Sequence, residues 1–228
     1  MTVPGWCRGK HSSRPAADLG SIPSLGIIIF QLTIYNFDFY LYGLGNPSPN
    51  YDKTLHSIGK VYINHLARVY KAEFKQSRGK GFFAAFNFAN RGEYALIRNS
   101  KGEQVALFKS DSFMNLSGVP YKQFLKNCDT IQYANQYIVH DDLESKPGKF
   151  KIKNGGSPEG HNGLKSIIDS IGSKDFQRLK IGIGRPDSKD PEVVANYVTS
   201  NISSEEYRRY KEEIFPQIDE FLKKNNIL

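Results

Sequence analysis

The chain has 228 residues, long enough to bury roughly 70% of its unfolded surface without a metal or disulfide staple. Its two cysteines, Cys7 and Cys128, match no metal-ligand spacing and read as free thiols of a reducing compartment. With 31 Lys+Arg against 23 Asp+Glu, the net charge of +8 favours a polyanionic partner without identifying one.

Residues 1–36 differ in composition from the rest of the chain. Pro4, Pro15 and Pro23 break any long helix, and Arg8, Lys10 and Arg14 face a single acid, Asp18. The apolar patch at 26–30 is too short to span a bilayer, so no membrane anchor is expected. A basic, acid-poor segment of this kind reads either as a mitochondrial targeting leader, with the cytoplasm as the alternative, or as a disordered extension. The domain is expected over 37–228, and it keeps a basic excess of its own.

From there strands and helices alternate. An aromatic strand over 37–42 ends in a Gly-Leu-Gly-Asn-Pro turn, and a helix over 54–71 carries Ile58, Val61, Tyr62, Leu66 and Val69 at helical spacing. Strands are expected near 81–88, 93–98 and 104–109, then a helix near 118–127 and a strand over 136–140. After a strand over 149–153, a helix over 161–171 is stopped by Gly172. The next strand is expected over 178–183. Ser203-x-x-Glu206 caps a last helix, which Pro216 should kink or divide. The pattern predicts an α/β fold: a single-domain three-layer α/β/α sandwich around a twisted mixed β-sheet.

Three asparagines, Asn46, Asn115 and Asn162, sit in Gly- or Ser-flanked turns, and neutral amides recognise a peptide or ester by hydrogen bonds in both directions. His56 comes after the first strand, at the sheet edge where α/β proteins keep their sites. Histidine is suited to deprotonate water near neutral pH. Asp141 ends another strand and is placed to fix the His56 tautomer, although an Asx-turn or helix cap is the plainer role for such a residue. No Gly-x-Ser-x-Gly elbow supports a serine nucleophile, and no His-Glu-x-x-His supports a metal. Gly43-x-Gly45 reaches Ser48 where a dinucleotide loop needs its third glycine. A water nucleophile activated by His56 and Asp141, with neither metal nor cofactor, is the remaining chemistry. Lys149, Lys151 and Lys153 alternate with Phe150 and Ile152, and Arg178 and Lys180 with Leu179 and Ile181. Two cationic strand faces result, fit for phosphates or simply for solvent.

Seven segments together resemble the bacterial-type peptidyl-tRNA hydrolase family: Gly-Leu-Gly-Asn-Pro (43–47), Tyr51, Thr-x-His (54–56), Phe-Met-Asn-Leu-Ser-Gly (113–118), His-Asp-x-Leu (140–143), Gly-His-Asn-Gly-Leu-Lys-Ser (160–166) and Arg-Leu-Lys-Ile-Gly-Ile-Gly-Arg-Pro (178–186). The resemblance implies a monomeric enzyme that hydrolyses the ester joining a peptide to the 3′ ribose of tRNA. It implies His56 as proton acceptor, Asp141 as stabiliser of its basic form, and Asn46 as discriminator of a blocked amino group. It places Tyr51, Phe113, Asn115 and Asn162 against the peptidyl end and the tRNA terminus, and Lys151, Lys153 and Lys180 against tRNA phosphate.

The chain departs from the family pattern at three places. Leu55 and Ser57 flank His56 where arginine and asparagine are usual, His-Asp-Asp-Leu-Glu (140–144) replaces His-Asp-Glu-Leu-Asp, and the glycine-rich loop carries Pro158 and Glu159. Two competing readings remain: a non-catalytic RNA-binding protein of the organelle splicing-factor type on the same scaffold, and a small-substrate esterase or peptidase.

Overall fold

The computed structural model describes residues 37–77, 92–126 and 133–228. The leader, the expected strand near 81–88 and both cysteines lie outside the described residues.

Seven strands form one mixed sheet: β1 (Phe39–Gly43), β2 (Lys75–Ser77), β3 (Gly92–Arg98), β4 (Gln104–Ser110), β5 (Gln136–Asp142), β6 (Phe150–Asn154) and β7 (Gln177–Gly182), in the order β2-β3-β4-β1-β5-β7-β6. β4, β1, β5 and β7 run parallel, while β2, β3 and β6 pair antiparallel at the flanks. The central strands are buried on both faces, as parallel strands between helical layers must be.

Side-chain alternation divides two cores. Leu41, Val105, Leu107 and Val139 point to one face, where α1 (Ile58–Val69) and α6 (Phe215–Lys224) supply Ile58, Leu66, Ile218 and Leu222. Tyr40, Tyr42, Ala106, Phe108 and Ile138 point to the other, where α2 (Gly118–Leu125) and α3 (Asn162–Ile171) supply Tyr121, Phe124, Leu164 and Ile167. The expected three layers result. α1 lies tight on the sheet because Gly59 has no side chain: a Cβ there would collide with the Val139 carbonyl oxygen. Gly172 ends α3 at φ 72°, a left-handed cap that glycine adopts without a Cβ penalty.

Two elements lacked a sequence expectation, β2 and α4 (Pro191–Thr199). α4 carries the signature of a helix start, since Asp190 accepts from the Glu192 N–H and Pro191 occupies the first turn. In the C-terminal run, Ser203 caps α5 (Ser204–Arg209), and a π turn (Tyr210–Ile214) leads to Pro216 in the first turn of α6. Pro216 therefore divides the helix, where its missing N–H costs least.

Candidate active site

The four parallel strands end at one edge of the sheet, and every element at that edge contributes to a cleft of about 600 Å³. Asn46 lies just after β1, Phe113–Asn115 just after β4, Asp141 belongs to β5, and His161 and Asn162 open α3. α4 adds Val194, Ala195 and Val198 to the lining. This is the position at which open α/β sheets bind ligands.

His56 lies in a short 3-10 turn (Leu55–Ser57) ahead of α1, with Nδ1 2.8 Å from Asp141 Oδ1. The same oxygen lies 3.0 Å from His161 Nε2. His161 caps α3 through its ring: Nδ1 accepts from the Gly163 and Leu164 N–H groups at 3.1 and 3.4 Å. An accepting Nδ1 has no proton, so His161 Nε2–H must donate to Asp141. The hydrogen-bond network thus assigns Asp141 Oδ1 as acceptor from two imidazoles. His56 donates through Nδ1–H and keeps its Nε2 lone pair at the cleft wall.

Burial drives the Asp141 carboxyl upward, but the imidazoles of His56 and His161 beside it outweigh that and hold the group well below its ordinary value. Burial lowers the His56 imidazole, and the Asp141 charge and hydrogen bond more than reverse that, leaving it raised from 6.5. Next to Asp141, His140 donates through Nδ1 to the Asp141 carbonyl at 2.7 Å. Its pKa is pushed down to about 3, chiefly by burial, so its ring is neutral under working conditions.

Asn46 is fixed from three sides. Its Oδ1 accepts the Met114 N–H at 2.8 Å, its N–H donates to Ser57 Oγ at 3.2 Å, and its carbonyl accepts Lys60 Nζ at 3.0 Å. Since Oδ1 is committed to a backbone donor, the amide NH₂ is left for a substrate acceptor. Ser57, one of the departures from the family pattern, has a structural role: its hydroxyl receives both Thr54 Oγ1 and the Asn46 N–H. Leu55, the departure on the other side of His56, is buried in the core, and its N–H donates to the Ser200 carbonyl at 3.1 Å.

The structure brings Asn46, His56, Phe113, Asn115, Asp141 and Asn162 together around the cleft, with Phe113 more than half exposed. Tyr51 is not among the lining residues; its carbonyl accepts Thr54 Oγ1 and so anchors the turn before His56. Lys151, Lys153 and Lys180 lie beside the cleft on the β6–β7 ladder, and Arg178 turns inward to the carbonyls of Gly156 and Ser157. His161 and Lys60 carried no sequence expectation. A histidine at a helix N-cap position, just ahead of Asn162 and Gly163, was the available signal for the first; a lone basic residue in an apolar helix face was the signal for the second.

Among the described residues, His56, Asp141 and His161 also place their ligand atoms within 4.8 Å of one another, close enough for a metal ion. The facing atoms are two protonated ring nitrogens and the oxygen between them. A cation there would have to displace both protons, and it would meet only one free oxygen of Asp141.

Residues 40–225 match the sequence profile of the peptidyl-tRNA hydrolase family. A peptidyl-tRNA hydrolase of Geobacillus thermodenitrificans is 38% identical over 164 residues, 72% of this chain and 80% of that protein. One from Rickettsia typhi is 37% identical over 172 residues, covering 75% and 85%. The crystal structure of peptidyl-tRNA hydrolase from Acinetobacter baumannii superposes with a TM-score of 0.59 at 30% identity, covering 83% of this chain and 93% of that one. The chain belongs to the peptidyl-tRNA hydrolase family.

Proposed function

We propose that this chain hydrolyses the ester of peptidyl-tRNA with water as nucleophile and His56 as general base. The observation that carries this reading is Asp141 Oδ1 held between two imidazoles, which leaves His56 Nε2 as a free base at the cleft. Nε2 takes a proton from water while the water oxygen bonds to the ester carbonyl carbon. The Asn46 amide N–H, with Asn115 and Asn162 nearby, offers donors to the carbonyl oxygen as it becomes an oxyanion. Collapse breaks the bond to the ribose 3′-oxygen, which leaves with the proton held by His56. An ester has a better leaving group than an amide, so one modest base suffices.

The reading extends to RNA. Lys151, Lys153 and Lys180 stand together beside the cleft and support phosphate binding there, which supplies affinity and position and leaves sequence choice aside. Exposed Phe113, which lines the cleft together with the apolar residues of α4, supports a peptide-binding role there. A non-catalytic RNA-binding scaffold gains nothing from a tautomer-locked histidine opening on a cleft.

The test is release of N-acetyl-amino acid from an N-acetylated aminoacyl-tRNA, with unblocked aminoacyl-tRNA as control. Cleavage of the blocked substrate is expected, lowered about 10²–10⁴-fold in His56→Ala with tRNA binding retained. Equal turnover by that variant removes His56 from the mechanism; tRNA binding without cleavage by the unaltered chain replaces the enzyme with the scaffold reading.

A further inference from the structure

The outer edge of the sheet carries a block of four cations. In the β6–β7 ladder Lys151 lies opposite Lys180, and Lys153 opposite Arg178. Opposed residues of an antiparallel pair share one face at about 5 Å, as do residues two apart on one strand at about 7 Å. Like charges so placed repel, and the chain answers each of them. Arg178, fully buried, donates to two loop carbonyls. Asp142 takes Lys180 at 3.2 Å with one oxygen and Lys151 at 3.6 Å with the other.

The remaining gap, between Lys153 and Lys180, is filled by Glu159. One of its carboxylate oxygens accepts from Lys153 Nζ, and the other from Lys180 Nζ at 2.5 Å. The two hydrogen bonds hold the Glu159 carboxyl down at about 2, so it is charged throughout the working range. Its backbone is left-handed at φ 52°, a costly conformation for a residue with a Cβ. The loop accepts that cost in the geometry that brings this side chain onto the lysines.

A carboxylate bridging two ammonium groups presents the same paired oxygen acceptors as a phosphate. We propose that Glu159 is the resident anion of a phosphate subsite, occupying the gap between Lys153 and Lys180 so that an RNA phosphate enters only by displacing it. This rests on the reading of Lys151, Lys153 and Lys180 as phosphate-binding residues. The consequence is selection by valency. A tethered competitor acts at an effective concentration of about millimolar or above, so small free phosphates are excluded. A tRNA already held by other contacts brings its phosphate at a comparable local concentration and can exchange with the carboxylate.

The test uses the full chain with uncharged tRNA as probe, by fluorescence anisotropy across a salt series. Glu159→Gln is expected to bind about three- to tenfold tighter. Its plot of log affinity against log salt should steepen, by at most about 0.7–0.9, as a phosphate that only partly displaces Glu159 comes to engage fully. Glu73→Gln removes the same charge beside β2, at the opposite edge of the sheet, and should change affinity less than about twofold. In a Lys153→Met background the gain from Glu159→Gln should vanish. A Glu159→Gln variant no tighter than Glu73→Gln, or a gain that persists without Lys153, overturns the proposal. If Lys151→Met and Lys153→Met leave tRNA binding and its salt slope unchanged, the phosphate-binding reading falls and the resident anion with it. If they weaken binding while Glu159→Gln behaves like Glu73→Gln, only the resident anion falls.

Discussion

Two buried histidine–aspartate pairs flank the length of α1, and their geometry is nearly the same. His56 and Asp141 stand 2.8 Å apart at its leading end; His65 and Asp219 stand 2.9 Å apart in its second half. Each aspartate also takes a second donor, His161 in the first pair and Tyr62 Oη, at 2.7 Å, in the second. The difference lies at the far ring nitrogen. His56 lines the cleft among asparagine amides. The His65 ring is stacked on Tyr62 and 5.2 Å from Phe215, and its Nδ1 is buried with no hydrogen-bond partner among the described residues. A histidine–carboxylate distance therefore does not make a general base; access to a polar cavity does.

The comparison is tested hardest at the two aspartates. Asp141→Asn removes the charge that raises His56, leaving burial alone, which lowers it. With His56 as the proposed base the rate requires it neutral, so the rate should fall as pH drops through the His56 pKa. In the unaltered chain that acid limb lies above 6.5, the ordinary imidazole value. In Asp141→Asn the limb should move to lower pH, and the plateau should fall about 10–10³-fold because tautomer and basicity are both lost. A pH profile of kcat/KM with an unmoved limb would separate Asp141 from the base.

Asp219→Ala should do the reverse. It orphans the Tyr62 hydroxyl and His65 Nε2, each about 1–3 kcal/mol when buried and unpaired. A Tm lower by roughly 4–24 °C is expected, at about 2–4 °C per kcal/mol for a chain of this size. The pH profile of the folded protein should keep its shape. Calorimetry and a pH–rate series on the same preparation decide it: a displaced acid limb in Asp219→Ala would join the two pairs into one titrating unit.

The sequence makes this contrast visible only in part. Aromatic and aliphatic alternation in β1, β4 and β5 tells the sheet and its two cores apart, because period-2 side chains are fixed by local geometry. His56 and Asp141 are legible as residues placed after strands at a carboxyl edge. His161 is not, since its role depends on a ring that caps its own helix and reaches a carboxylate 20 residues earlier. The lysine alternation on β6 is legible, but the satisfaction of those charges is not: Asp142, Glu159 and the loop carbonyls reach them through tertiary contacts. Arg178 shows the cost of reading period alone, because a side chain on the cationic face of the ladder folds back beneath the loop. α4 is spelled out by Asp190-Pro191-Glu192 and obscured by the polar residues around it.

The smallest effect sharpens the comparison furthest, because it lies on α1 itself between the two pairs. Lys60 is buried, with Nζ donating to the Asn46 carbonyl at 3.0 Å and to Ser48 Oγ at 3.1 Å. Asp52 and Asp111 stand 3.9 Å away, and burial lowers its pKa against their attraction. Ion pairs this long, to half-exposed carboxylates, add little to stability, so an apolar replacement of similar length loses chiefly the Nζ hydrogen bond to the buried Asn46 carbonyl, worth about 1–3 kcal/mol. The contribution of Lys60 is to hold Asn46 at the cleft. Lys60→Met should lower Tm less than Asp219→Ala does, while kcat falls about three- to tenfold, with KM little altered, because a displaced amide loses transition-state contact before ground-state affinity. Lys60→Arg, which keeps a donor in reach, should recover part of the loss. If kcat survives Lys60→Met, the Met114 and Ser57 hydrogen bonds suffice to place Asn46. If Tm drops as far as in Asp219→Ala, Lys60 belongs with His65 and Asp219 as a strut of the core, and the division of α1 into a catalytic end and a structural end shifts by one turn.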